Sequence, residues 1–239
     1  MSLILGGDVG GTKAYLGLFR VDGDAFETVA VERYTSTDFA GVPELLSGFI
    51  VHCGQHPDRV VLGVPGPVKH MPVKAVNLPW TIDPGQIAGV LGVADVFLLN
   101  DLEATAYGTL ALTDDDIVEI NPGEPESQGA MAIIAAGTGL GEAGLAWVDG
   151  RYVALASEGG HASFAPGTDE EIRLWHWLFA RHGHVSWERV VSGMGLVNIY
   201  EFLRDSSPDG EPDWLRKVGI DKAPETLDEM YTAVWKFRH

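Results

Sequence analysis

A single cysteine, Cys53, stands in the 239 residues. One thiol excludes an intrachain disulfide and a thiolate metal cluster, and it fits a reducing compartment. Basic residues are scarce as well: 16 Lys and Arg face 34 Asp and Glu, a net charge of −18. So acidic a surface repels phosphate backbones, which argues against a nucleic-acid partner. An anionic ligand must then be held by backbone N–H groups and metal rather than by a basic field. No apolar run approaches the length of a membrane span, and no basic-then-apolar leader opens the chain. A cytoplasmic location without a membrane partner is expected. The eight histidines show no ligand spacing beyond His182-Gly183-His184, which predicts no structural metal. No Gly-x-x-x-x-Gly-Lys-Ser/Thr loop occurs, which removes the P-loop class of nucleotide sites. Hydrophobic content of 46% and charged content of 21% are nonetheless those of an ordinary globular chain with ample sequence for a core.

What is present starts near the N-terminus. Leu3-Ile4-Leu5 leads into Gly6-Gly7-Asp8-Val9-Gly10-Gly11-Thr12-Lys13, and Ala14 to Phe19 leads out in near alternation. Both flanks read as strands, with the glycines at a hairpin tip. Gly10 and Gly11 lack a Cβ and can bring backbone N–H groups close to an anion. Asp8, just before the tip, can hold Mg²⁺ or its waters. An ordinary hairpin turn explains the same letters.

A second stretch repeats the form. Ala130 to Ala136 is a buried strand, Gly137-Thr138-Gly139-Leu140-Gly141 a tip, and Ala143 to Val148 another strand. Both copies reach Val-Asp-Gly, at Val21-Asp22-Gly23 and Val148-Asp149-Gly150, an offset of 127 residues. Asp-Gly signals a hairpin turn, so each half carries a three-strand meander. Two such loops facing one another could grip a triphosphate. Gly139-x-Gly141-x-x-Gly144 also matches the dinucleotide fingerprint, but that fingerprint needs a helix after it and a strand pattern follows.

Between the meanders the pattern predicts a helix over 41–53 with Leu45, Leu46, Phe49, Ile50 and Cys53 as its stripe. A buried strand at 58–64 ends in Pro65-Gly66-Pro67. Asn77 sits in a polar-aromatic loop, as a turn residue or a substrate amide. Asp83-Pro84 opens a short helix through Leu91. The strand 95–99 runs into Asn100-Asp101-Leu102-Glu103-Ala104 and a helix to about Leu112. Asn100 and Glu103 occupy capping-box positions, and Asp101 is either a first-turn acid or a general base facing a cleft. The polar stretch 113–129 reads as a solvated connection.

Glu158 and His161 lie in a Gly-rich loop after a strand, a place suited to binding residues. Thr168-x-x-Glu171 is a capping box for a helix ending before Gly183, with Ile172, Trp175, Leu178 and Phe179 as core. A last helix carries Leu196, Ile199, Tyr200 and Leu203 on one face. Glu188, near that helix's start, is a dipole-complementing acid or a third substrate contact.

Taken in order, Gly7 to Thr12, Asn100 to Ala104, Gly137 to Gly141, Glu158 to His161 and Glu188 to Gly193 resemble the motifs of the bacterial glucokinases, within the hexokinase/actin/Hsp70-type ATPase superfamily. The resemblance covers nearly the whole chain. It implies an α/β fold of two ribonuclease H-like lobes with mixed sheets around a central cleft, 1–112 and 113–239. The implied activity is ATP-dependent phosphorylation of glucose, the first step of glycolysis. Asp101 would be the base, and Asn77, Asn100, Asp101, Glu158, His161 and Glu188 would contact the sugar. Gly7, Asp8, Gly10, Gly11 and Thr12, with Gly137, Thr138 and Gly139, would hold ATP, and Asp8 would act on Mg²⁺ through water. One cysteine cannot build the zinc motif of related sugar kinases and sugar-sensing repressors.

Family chains run several tens of residues further, so the second lobe is expected to be incomplete at its C-terminus, without the adenosine wall. An apolar face near Trp235 and Phe237 and a homodimer follow. Two other readings are a sugar-binding, catalytically impaired protein and a chaperone-like or actin-like ATPase. The latter has no use for Asn100, Asp101, Glu158 and His161 together.

Overall fold

The computed structural model describes residues 1–23, 25–75, 79–124 and 126–207. Asn77 and the apolar face expected near Trp235 and Phe237 lie outside the described residues. In chain order the strands and helices are β1 (Ser2–Val9), β2 (Lys13–Asp22), β3 (Ala25–Thr35), α1 (Val42–Cys53), β4 (Arg59–Val64), β5 (Val73–Lys74), β6 (Thr81–Ile82), α2 (Pro84–Leu91), β7 (Asp95–Asn100), α3 (Asp101–Thr109), β8 (Met131–Ala136), β9 (Leu140–Val148), β10 (Arg151–Ser157), α4 (Asp169–His182) and α5 (Gly193–Ser206). The chain is mixed α/β, as expected. Its described residues pack as two compact units, 1–131 with 144–156, and 132–143 with 157–207. The boundary read from the sequence, after residue 112, falls inside the first unit.

The first unit holds a five-stranded mixed sheet of order β3-β2-β1-β4-β7. β1 pairs antiparallel with β2 and parallel with β4, and β4 pairs parallel with β7. Strand alternation then sorts the residues of β1. Leu5, Gly7 and Val9 face a core shared with Leu62 and Val64, α1 (Val42, Leu45, Leu46, Phe49) and α2 (Ile87, Leu91). Each fully buried Leu or Phe there contributes about 1.5–3 kcal/mol. A Cβ on Gly7 would lie 2.7 Å from a Leu16 methyl and 2.9 Å from a Leu62 methyl, so a side chain there would force these buried leucines to shift. Asp8 and its neighbour Gly63 face the other way, toward α3. A Cβ on Gly63 would sit 3.0 Å from Ala104 Cβ, and its absence lets the helix close on the sheet.

The helix ends follow the sequence closely. Gly54, Gly92 and Gly183 take the left-handed conformation after α1, α2 and α4, and Asp83 Oδ1 accepts from the Gly85 N–H at 2.8 Å. α3 stops at Thr109 rather than near Leu112, where Gly108 and Thr109 lower helix propensity.

The second meander forms a sheet of order β10-β9-β8, whose residues are divided between the two units. Asp149 and Gly150 both have positive φ, 49° and 81°, as a two-residue turn between twisted strands requires. In the first meander Asp22 is still paired with Ala25 and the turn begins at Gly23. The two Val-Asp-Gly copies therefore sit one step apart in their turns. The loops 10–12 and 137–139 keep the 127-residue offset. Because β9 rather than a helix follows the second loop, the dinucleotide fingerprint has no helix N-terminus to use.

In the second unit α4 and α5 pack around Phe164, Leu174, Leu178, Val185 and Phe202. Two sequence expectations shift here. On α4 the buried residues are Leu174 and Leu178, whereas Ile172 and Phe179 are exposed and Trp175 stacks on Phe179 at 4.8 Å. Two apolar stripes compete on this helix, and contact with Phe164 and Phe202 selects one. On α5 the buried set is Gly195, Asn198, Tyr200 and Phe202, with Ile199 and Leu203 half-buried beside it. Thr168 caps α4 through the Glu171 N–H at 3.2 Å, but the Glu171 carboxylate returns to Gly167 N, one residue earlier than a capping box. The stretch 113–124 is exposed, with a short 3₁₀ turn at Asp114–Asp116.

Candidate functional site

β1, β4 and β7 run parallel and end together, pairing Asp8 with Gly63 and Val64 with Asn100. Their carboxyl ends place Asp8, Pro65-Gly66-Pro67 and the start of α3 along one sheet edge, the edge where ligands of α/β proteins bind. Asn100 is the N-cap of α3 and Glu103 completes a capping box. The Asn100 carboxamide also fixes the neighbouring loop: Oδ1 accepts from Leu102 N–H at 3.0 Å, and Nδ2 donates to Gly66 O at 3.2 Å. The capping role of Asn100 is thus realised. Asp101 Oδ1 accepts from the same Leu102 N–H at 2.9 Å, leaving Oδ2 for another partner.

Asp8 is open to solvent yet surrounded on its inner side by the strand ends and α3. That partial enclosure raises its pKa above the ordinary 3.8, and the charge of Asp101 raises it further.

The first Gly/Thr loop turns tightly, with Gly10 N–H donating to Lys13 O at 3.0 Å. Ser36, fully buried, holds it from behind: Ser36 Oγ donates to Gly10 O at 2.8 Å and Ser36 N–H to Thr12 O at 3.0 Å. With both carbonyls satisfied, the N–H groups of Gly11 and Thr12 have no acceptor among the described residues. Sequence reasoning missed Ser36, whose only visible mark is a polar Ser-Thr-Asp run after β3.

In the second unit the loop 137–139 closes through Gly137 N–H to Gly139 O at 2.9 Å, and Gly193 N–H donates to Gly137 O at 2.8 Å. Here too Thr138 and Gly139 offer N–H groups without an acceptor among the described residues. Glu188 lies in a 3₁₀ turn (Trp187–Arg189) ahead of α5, so it is not that helix's dipole partner; Ser192 caps α5 instead. Glu188 Oε2 accepts from Leu140 N–H at 3.0 Å. His161, in a 3₁₀ turn (Gly159–His161), approaches Glu188 Oε1 at 3.8 Å through Nδ1 and Glu158 Oε2 at 3.7 Å through Nε2. Glu158, His161 and Glu188 are therefore brought together, the first mostly exposed and the last mostly buried. Gly160 fits only because it lacks a side chain, since a Cβ would strike the Leu140 carbonyl.

Asp8, Asn100 and Asp101 with the first loop belong to one unit, and Glu158, His161 and Glu188 with the second loop to the other. Each set pairs open N–H groups, suited to phosphate oxygens, with side chains that accept from hydroxyls.

A family model described as glucokinase matches residues 5–230 of this chain. The chain belongs to the glucokinase family. The glucokinase of Nostoc punctiforme is 37% identical over 218 residues, covering 87% of this chain and 64% of the relative. That of Cronobacter sakazakii is 36% identical over 230 residues, 95% of this chain and 69% of the relative. A crystal structure of glucokinase from an Antarctic psychrotroph matches with a TM-score of 0.80 at 27% identity, over 99% of this chain and 75% of that one. The chain thus spans a little under two thirds of the length of the Nostoc glucokinase. The glucokinase match takes in all five motifs on which the resemblance rested. Among the described residues no helix is long and apolar enough to cross a membrane.

Proposed function

We propose that this glucokinase-family chain transfers the γ-phosphoryl group of ATP to the 6-hydroxyl of glucose, yielding ADP and glucose 6-phosphate. The observation that carries this reading is the family match over residues 5–230, which includes Asp101 with one carboxylate oxygen unused at the end of the parallel strands. Asp101 accepts the 6-hydroxyl proton as that oxygen attacks phosphorus and the bond to the β-phosphate oxygen breaks. Asn100 orients the start of α3 and offers its second amide hydrogen to a sugar oxygen. Glu158, His161 and Glu188 take sugar hydroxyls, and Asn77 is proposed as a further sugar contact. The N–H groups of Gly11, Thr12, Thr138 and Gly139 receive phosphate oxygens, and Gly7, Gly10 and Gly137 set the course of the loops.

The residues fit a magnesium ion. Burial, and then the charge of Asp101, raise the cost of ionising Asp8, which a divalent cation relieves. Mg²⁺ commonly keeps several waters and phosphate oxygens as ligands, so a single carboxylate such as Asp8 suffices on the protein side. Mg²⁺ held at Asp8 through water would neutralise phosphate charge. A cytoplasmic homodimer completes the proposal.

The test is a coupled assay of ADP release by the full chain, with a panel of sugars and donors. Glucose-dependent release supports the reading. ADP release without sugar would overturn it in favour of a plain ATPase. Glucose binding without release would leave a sugar-binding protein.

A further inference from the structure

The second Gly/Thr loop is held by a residue that also belongs to the sugar set. Glu188 Oε2 accepts from Leu140 N–H at 3.0 Å, directly after the loop. A Cβ on Gly139 would displace Glu188 Oε2 from the place it occupies. The same segment reaches the loop again where Gly193 N–H donates to Gly137 O at 2.8 Å. Ser192 Oγ, donating to Glu188 O at 2.6 Å, fixes the backbone that presents the carboxylate. The other oxygen, Oε1, is turned to His161 at 3.8 Å. The Glu188 side chain is only 21% exposed, against 85% for Glu158.

We propose that Glu188 is a positioning residue for the loop 137–139 as well as a sugar contact, so that sugar and nucleotide binding are coupled through one carboxylate. The identity of the two ligands rests on the proposed function. A charged acceptor holds an N–H more firmly than a neutral one, and an organised loop binds phosphate with less ordering cost. A sugar hydroxyl donating to Oε1 locks the carboxylate against Leu140. Linkage requires the reverse as well: a nucleotide that orders the loop tightens sugar binding by the same factor.

The test uses the full chain and reads amide hydrogen exchange over 137–142 without ligand, then glucose and nucleotide affinity by calorimetry. Glu188→Ala is expected to speed Leu140 exchange about tenfold or more, since the amide loses its acceptor. Glu188→Gln keeps an oxygen for that amide and should hold exchange within a few-fold of wild type while glucose affinity falls. Gly139→Ala displaces the carboxylate without removing it, and should weaken glucose binding roughly tenfold as well as nucleotide binding, within the usual range of coupling. Unchanged Leu140 exchange in Glu188→Ala overturns the proposal. So does a Gly139→Ala variant that loses nucleotide affinity alone. If Glu188→Ala fails to fold, Glu188→Gln and Gly139→Ala still decide between these outcomes. Failure of the wild-type chain to bind glucose would instead sink the functional reading, and the ligand-free exchange would still say whether Glu188 holds the loop.

Discussion

The loop at 10–12 is anchored by a neutral hydroxyl, and the loop at 137–139 by a carboxylate. Both have the same length, and each offers two N–H groups without an acceptor among the described residues. Ser36 is fully buried behind the first and hydrogen-bonds the loop backbone at Gly10 and Thr12. Glu188 stands behind the second and faces His161 with its other oxygen. One backbone solution for presenting N–H groups is thus stabilised in two ways. The anchor at Ser36 is uncharged, whereas the anchor at Glu188 is a carboxylate with its second oxygen turned to His161. Near the first loop the charge is on Asp8, two residues before Gly10 on β1.

The sharpest way to break this contrast is Asp101→Asn. The variant keeps an acceptor for the Leu102 N–H but removes the base, so turnover should fall by about 10²–10⁴-fold while glucose affinity stays within a few-fold. Near-normal turnover together with a lower melting temperature would reduce Asp101 to a first-turn acid of α3.

Glu158→Ala asks whether the second set is a sugar site at all. Loss of one hydrogen bond at a largely exposed carboxylate should weaken glucose binding about tenfold, near 1.4 kcal/mol. An unchanged titration removes Glu158 from the pocket.

Ser36→Ala isolates the neutral anchor. It leaves the Gly10 carbonyl without its hydroxyl donor but keeps the Ser36 N–H on Thr12, for an expected loss of about 0.5–1.5 kcal/mol in denaturant unfolding. Glucose affinity should not move. A loss of glucose affinity would mean that the two anchors differ less than their chemistry suggests.

The smallest effect concerns Asp8 without ligands. Its folded pKa is raised, so the folded state binds the proton more tightly than the unfolded chain, and its contribution is favourable below the ordinary 3.8. That contribution is lost as pH rises through the folded value. Asp8→Asn should therefore melt slightly higher than wild type at neutral pH, with the gap closing as pH drops below 3.8. A lower melting point at neutral pH would show that ionised Asp8 is stabilising and that no cation is invited there.

Much of this was legible in the sequence because local chemistry set it. Gly10-Gly11-Thr12 and Gly137-Thr138-Gly139 are loops between strands, Asp83, Asn100 and Thr168 cap helices, and Gly54, Gly92 and Gly183 end them. What could not be read depends on contacts distant in sequence. Ser36 lies 26 residues from Gly10, and Glu188 lies 48 from Leu140. The choice between the two apolar stripes of α4 was equally hidden, because 3.6-residue periodicity allows both and only Phe164 and Phe202 decide. The need for glycine at Gly7, Gly63 and Gly160 is likewise one of space against residues on other elements, which spacing alone does not express.

The position of β1 has a consequence for how the chain acquires its structure. On one side it pairs with β2 across a short hairpin, and on the other with β4, more than fifty residues later. Local pairs close with little loss of chain entropy, and distant parallel pairs are slow. During synthesis the N-terminal meander is complete as a sequence once Thr35 has left the ribosome, while the edge carrying Asn100 and Asp101 waits for β4 and β7. The loop at 10–12 is then shaped before Asp101 has docked. Pulse-labelled exchange during refolding should protect β2 amides before those of β7, and the opposite order would place the nucleus on the parallel side.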